Sequence, residues 1–198
     1  MFTYSLPDKR VPKVNVVAFE DGSFRVGERG EAFLLGVLTD GFRLVDVSVS
    51  LVEVDGFDAT GRLLDMAEAW KGRFSLVMLS SLAYAGFNVV DPEEVCRRLG
   101  TPVIVVLPRK PRRRAVERAL KRHFSDWERR LKVLGKVGEP AELRLPGGRV
   151  YVSAFGLTAG EALEAVRRLT VFGGRPEPLR MADLLVKGLG LWKGVRGL

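Results

Sequence analysis

Two short runs, FSLVML at residues 74–79 and PVIVVL at 102–107, carry no charge and leave neither face of a strand polar. A strand apolar on both faces needs cover on both faces, which helices provide when they pack above and below a parallel or mixed sheet. Between the two runs, Asp91-Pro92 opens EEVCRRLG, an N-cap followed by proline at the first helical position. Strand, helix, strand in that order calls for a right-handed crossover and restricts the chain to the α/β class.

Upstream the pattern changes. VNVVAF at 14–19 reads as a short buried strand that runs into EDGSF, where Glu20 and Asp21 precede a glycine turn. AFLLGVLTD follows and then, past a turn at Gly41, FRLVDVSVSLVEV, whose alternation is that of a long antiparallel strand. Three strands in a meander thus flank the later parallel ones. DATGRLLDMAEAWKG sets Leu63, Leu64, Ala67 and Trp70 at helical spacing, with Gly72 as a stop. Further on, the spacing predicts a helix around 112–134, a strand or hairpin at AELRLPGGRVYVSAFG, a helix from Thr158 and a last helix from about Pro178. No repeat or linker interrupts the 198 residues, and 46% hydrophobic content suffices for one core, so the expected unit is a single domain, 1–198.

The residue inventory narrows the chemistry. Cys96 and His123 are the only residues of their kinds, which excludes an internal disulfide and any thiolate- or imidazole-rich metal site. A metal must then be a hard cation held by carboxylates, magnesium or manganese. Neither a GxxxxGK phosphate loop nor a GxSxG elbow is present. No apolar run reaches about eighteen residues and MFTYSLPDKRVPK lacks a signal-peptide centre, so the expectation is a cytoplasmic protein with no membrane partner. Glutamine is absent, asparagine occurs only at Asn15 and Asn88, and arginine is frequent, a thermophile-like composition. The net charge of +8 points to a polyanionic partner, DNA or RNA.

Glu20 and Asp21 end the first strand, and Asp55 and Asp58 lie where the third passes into the first helix. Converging carboxylates raise one another's pKa unless a divalent cation sits between them. Such an ion would orient a phosphodiester and help generate hydroxide. The plainer reading makes Asp21-Gly22 a turn and Asp58 an N-cap. The basic run RKPRRRAVERALKRHFSDWERRLK at 109–132 carries one apolar stripe, Val116, Leu120, Phe124, Trp127 and Leu131. The run is either a solvated helix face or a phosphate-binding surface, and for the latter Arg109, Lys110, Arg112, Arg113 and Arg114 are best placed, clustered just past a strand end where α/β folds bind ligands. His123 beside the stripe reads as a packing or surface residue in preference to a catalytic base. Tyr84, Phe87 and Asn88 either form a pocket for a flipped base or belong to the core. Gly86 permits a tight turn or a close backbone approach.

Taken in order, VVAFEDGSF, VEVDGFDAT, AYAGFNVVD, GTPVIVVLPRK and RPEPLRMADLL resemble the archaeal endonuclease dU family from about residue 12 to residue 188. That family is in turn similar to endonuclease V. The resemblance implies a ribonuclease H-like mixed sheet, antiparallel meander then parallel strands, flanked by helices. It implies a magnesium-dependent endonuclease acting on DNA with deaminated bases such as deoxyuridine, the ion held by strand-end carboxylates. Glu20 matches the first-strand aspartate of endonuclease V, and the second acid corresponds to Asp55 or Asp58. Lys110 matches the lysine that ends a strand segment, and Pro176 through Asp183 match a Pro-Glu-Pro-x-Arg-x-Ala-Asp/His run. The strand that ends in a catalytic aspartate in endonuclease V ends here in VMLSSL, with Ser80 at the acid's position. Serine is a weak, uncharged ligand, so Asp21 or Asp183 would have to compensate. Two other readings stay open: a non-catalytic nucleic-acid-binding protein on the same fold, and an interaction subunit using its basic face.

Overall fold

The computed structural model describes residues 14–25 and 29–196. The meander consists of β1 (Asn15–Asp21), β2 (Glu31–Asp40) and β3 (Arg43–Glu53), all antiparallel. Helix α1 (Ala59–Glu68) returns the chain to β4 (Leu76–Leu79), which pairs in parallel with β1. A two-stranded hairpin, β5 (Ala83–Tyr84) and β6 (Asn88–Val89), precedes α2 (Pro92–Leu99) and β7 (Val103–Leu107), the latter parallel to β4. Then come α3 (Arg113–His123), α4 (Trp127–Gly135), the hairpin β8 (Ala141–Leu145) and β9 (Gly148–Phe155), α5 (Ala159–Arg168) and α6 (Glu177–Arg196). The seven-stranded sheet runs β3-β2-β1-β4-β7-β9-β8, with β9 antiparallel to β7.

The alternation of side chains along each strand divides the core in two. On one face Val17, Phe19, Leu34, Val77 and Val105 pack with Leu63, Ala67 and Trp70 of α1 and its C-terminal turn. On the other, Val16, Ala18, Leu35, Met78 and Ile104 pack with Val166 of α5 and Leu179 and Val186 of α6. The wholly apolar runs are therefore central because both of their faces are covered. Asp91 caps α2 by accepting from Glu94 N–H at 3.1 Å, as its position before proline predicts. Among the described residues no helix is long and apolar enough to cross a membrane.

Two expectations are corrected. The first strand continues through Asp21, with Glu20 opposite Leu35 and Asp21 opposite Leu34, so both acids belong to the sheet and neither to a turn. The helix expected around 112–134 is two helices. Phe124 leaves the helical conformation for an extended one, and its ring meets Phe87 edge-on at 5.5 Å and the Arg130 guanidinium at 4.3 Å. That long-range contact, invisible to the spacing, ends α3 just after His123, which is exposed.

Candidate functional site

β1 and β4 run parallel with Phe19 opposite Leu79, so the next residues, Glu20 and Ser80, emerge side by side. Ser80 Oγ donates to Glu20 Oε1 at 2.9 Å. The other carboxylate oxygen is ion-paired with Arg175, from the segment before α6. Arg175 also reaches Asp183 on α6 at 3.2 Å, and Lys187 pairs with Asp183 at 2.8 Å. Glu20 and Asp183 thus share one guanidinium. Burial pushes the Glu20 carboxyl up to about 7, against the pull of Arg175 and the Ser80 hydroxyl and with help from the nearby Asp21 and Asp183 charges.

Asp21, next along the strand, turns to the opposite side of the sheet. Its carboxylate accepts the Ala85 N–H at 2.7 Å. Burial raises its pKa, and that hydrogen bond opposes the rise. The Ala85 carbonyl accepts the Asp55 N–H at 2.8 Å, so a single residue of the hairpin turn ties the ends of β1 and β3 together. Asp55 has φ +59° and Ala85 +45°, left-handed conformations that side chains adopt at a cost. Asp55 Oδ1 then accepts the Phe87 N–H at 2.8 Å. Gly86 lies against that carboxylate, and a Cβ there would come within 2.2 Å of Asp55 Oδ1. Asp55 consequently does hold structure, as the turn residue that fixes the hairpin.

Asp58 stands at the N-cap of α1 but makes no capping bond. It accepts from Glu53 N–H at 3.3 Å, Asn88 Nδ2 at 2.6 Å and Arg62 Nε at 3.2 Å. Partial burial works against its charge, yet these donors prevail and keep its pKa below the usual carboxylate range. The cap comes from Asn88, whose Oδ1 accepts the Ala59 N–H at 2.9 Å while Nδ2 also serves the Glu53 carbonyl at 2.8 Å. Asn88 and Tyr84 are fully buried, and the Tyr84 hydroxyl donates to the Phe19 carbonyl at 3.3 Å. Of the two alternatives for these residues, the core is where they lie, with no face left for a base.

Arg130 carries no signal in the sequence beyond being one more arginine in a basic run, yet it is only 5% exposed. Its guanidinium donates to the carbonyls of Gly56 at 2.8 Å and Phe87 at 2.6 Å and pairs with Asp126 at 2.9 Å. It thereby clamps the β3–α1 loop to the hairpin that carries Ala85. The expected acids fall into neighbouring groups, Glu20 with Asp183 and Asp21 with Asp55, and Asp58 stays with Asn88. Among the described residues no three His, Cys, Asp or Glu side chains are placed to hold one ion together.

β7 continues the parallel set, so the basic cluster past Leu107 leaves the sheet at the same end as Glu20. Arg109, Arg112, Arg113 and Arg114 are exposed. Lys110 pairs with Glu139 at 2.5 Å, a hydrogen bond that raises its pKa, and Arg113 donates to the Gly138 carbonyl.

Residues 12–189 match the profile of a family described as endonuclease dU. A UPF0215 protein of Thermococcus gammatolerans is 38% identical over 185 residues, 90% of this chain and 93% of its own. A crystal structure of a protein of unknown function from Archaeoglobus fulgidus superposes with TM-score 0.79 at 28% identity, covering 89% of this chain and 98% of that one. Endonuclease V of Ciona intestinalis, in complex with an inosine-containing DNA, superposes with TM-score 0.59 at 15% identity, covering 91% and 86%. The fold is the ribonuclease H-like mixed sheet of endonuclease V.

Proposed function

The chain belongs to the endonuclease dU family, and from that membership and the strand-end acids we propose that it is a metal-dependent endonuclease acting on DNA that contains deaminated bases such as deoxyuridine. The observation that carries the reading is Glu20, a buried carboxylate pushed up to about 7 at the end of a central strand. A strand-end carboxylate whose charge is disfavoured by burial beside a specific cationic partner is a functional-site candidate on physical grounds. The donors suit a hard divalent cation, magnesium or manganese, since they are carboxylate oxygens. Glu20 and Asp183, which share the Arg175 guanidinium, are the residues we assign to hold it, while Asp21 lies on the opposite side of the strand. Asp58 is committed to Asn88, Arg62 and Glu53, and Asp55 to the Phe87 amide, so both are better placed to shape the loop than to ligate. When bound, the ion would supply Lewis acidity toward a phosphate oxygen and a lowered pKa for water.

The chain's own residues account for the rest. Arg175 holds the charges of Glu20 and Asp183 together before substrate arrives. Arg109, Arg112 and Arg114, on the same end of the sheet, would meet the phosphates flanking the cut. Lys110, near the same end, would approach the scissile phosphate once released from Glu139. The test is cleavage of oligonucleotides containing uracil, hypoxanthine or only normal bases, with and without magnesium or manganese. Metal-dependent cutting at the modified base is expected, and binding without cutting under any metal would sink it. Ser80 favours a second reading, a nucleic-acid-binding protein that has kept the fold, because Ser80 Oγ spends its proton on Glu20 where the resemblance expects an acid.

A further inference from the structure

β3 is the outer strand of the sheet, and among the described residues only β2 pairs with it. Edge strands usually defend themselves with lysine, proline, a short length or a covering loop, because a free ladder edge recruits another strand. β3 is eleven residues long and between its terminal Arg43 and Glu53 carries one charge, Asp46. Val45, Val47, Val49 and Leu51 are 42%, 39%, 47% and 38% exposed. Val47 and Val49 lie opposite Val37 and Leu35 of β2, which belong to the core under α5 and α6. The apolar row therefore continues a core surface outward past its helical cover.

The sequence of this strand identifies what covers it. An antiparallel copy related by a two-fold axis through Ser48 sets Val47 against Val49, Val45 against Leu51 and Asp46 against Ser50. The same register sets Arg43 against Glu53. Apolar residues meet apolar ones on one face, and opposite charges meet at both ends. A shift of two residues sets Arg43 against Leu51 or Val45 against Glu53, and the match is lost. Glu53 also lies opposite Glu31 of β2, a like-charge pair that an arginine from a second copy would offset. We propose that this chain forms a two-fold dimer through β3, joining two seven-stranded sheets into one. The interface is isologous, the same patch on both subunits, as closed two-fold symmetry requires. Through Leu35 and Leu34 of β2, Glu20 and Asp21 lie level with Val49 and Ser50, one and two residues from the axis, so the two candidate sites are separated mainly across the strands, with β1 and its copy five strand spacings or about 24 Å apart. Each site is complete within one subunit.

The experiment is molar mass by light scattering over a micromolar concentration series of the full chain. Wild type is expected at twice the chain mass of 21.9 kDa. Val49→Lys, at an exposed position, is expected to be monomeric with an unchanged circular dichroism spectrum. Arg43→Glu and Glu53→Arg should each weaken the dimer at least tenfold, and the double exchange should restore it. A monomeric wild type overturns the proposal, whether the strand is then bare or covered by the chain's own residues. A dimer indifferent to Val49→Lys, or a double exchange no better than the single ones, overturns it as well.

Discussion

Glu20 is where a carboxylate's preference for water conflicts most with its position in the fold. Its folded pKa of about 7 lies above its ordinary 4.5, so between those values the folded protein binds a proton that the unfolded chain does not. Stability from this group is therefore highest below about pH 4.5 and falls as pH rises to about 7. Metal-free wild type should lose on the order of 3 kcal/mol relative to Glu20→Gln across that window. Urea denaturation at a series of pH values measures it, and a constant difference between the two proteins would contradict the burial. Asn88 carries a second prediction. Asn88→Ala leaves the Ala59 N–H and the Glu53 carbonyl without partners and should cost about 2–4 kcal/mol, more than Asp58→Ala at about 0.5–2 kcal/mol. Thermal or chemical unfolding ranks the two. Sequence order pointed to Asp58 as the cap because capping rules read the adjacent residue. The actual cap comes from 29 positions away, through a hairpin turn that no local rule contains.

At the scale of elements, what repeats along the chain was legible and what depends on distant contacts was not. Strands covered on both faces, the alternating β3 and the Asp91-Pro92 start of α2 all write their environment into a local pattern. The two-residue strands β5 and β6 are too short to have a period, and the break at Phe124 is imposed by Phe87 and Arg130. Arg130 supports both features. Arg130→Met keeps the aliphatic bulk but strips the Gly56 and Phe87 carbonyls of their donor, and should cost about 3–4 kcal/mol by urea unfolding. A loss under 1 kcal/mol would mean that water takes the guanidinium's place, about as well. The basic segment before α3 divides in the same way. Arg114 is exposed, whereas Lys110 already has Glu139. Arg114→Ala should lower the salt dependence of DNA binding by about one unit of slope and Lys110→Ala by less, measured by anisotropy titrations at several ionic strengths. Equal and negligible changes would leave the run as a solvated surface.

For the whole molecule, the mixed sheet and its order of elements were legible, and so was the end of the sheet at which acids and basic residues gather. The sequence did not disclose that Glu20 and Asp21 would take opposite sides of the strand and acquire different companions. Nor did it show that a guanidinium from the far end of the chain would lie between Glu20 and Asp183. Arg175→Gln removes that cation and should leave a larger thermal stabilisation by manganese than wild type shows, because the ion no longer competes with a side chain for the same carboxylates. A shift no larger than that of wild type would place the ion elsewhere. Arg175 and Glu20 are separated by 155 positions. During synthesis, which proceeds from the N-terminus at about 5–20 residues per second, β1 emerges roughly 8–30 seconds before its counter-cation. A nascent chain can acquire its strands in that interval but not the Glu20–Arg175–Asp183 cluster, which waits until α6 has been translated and has docked.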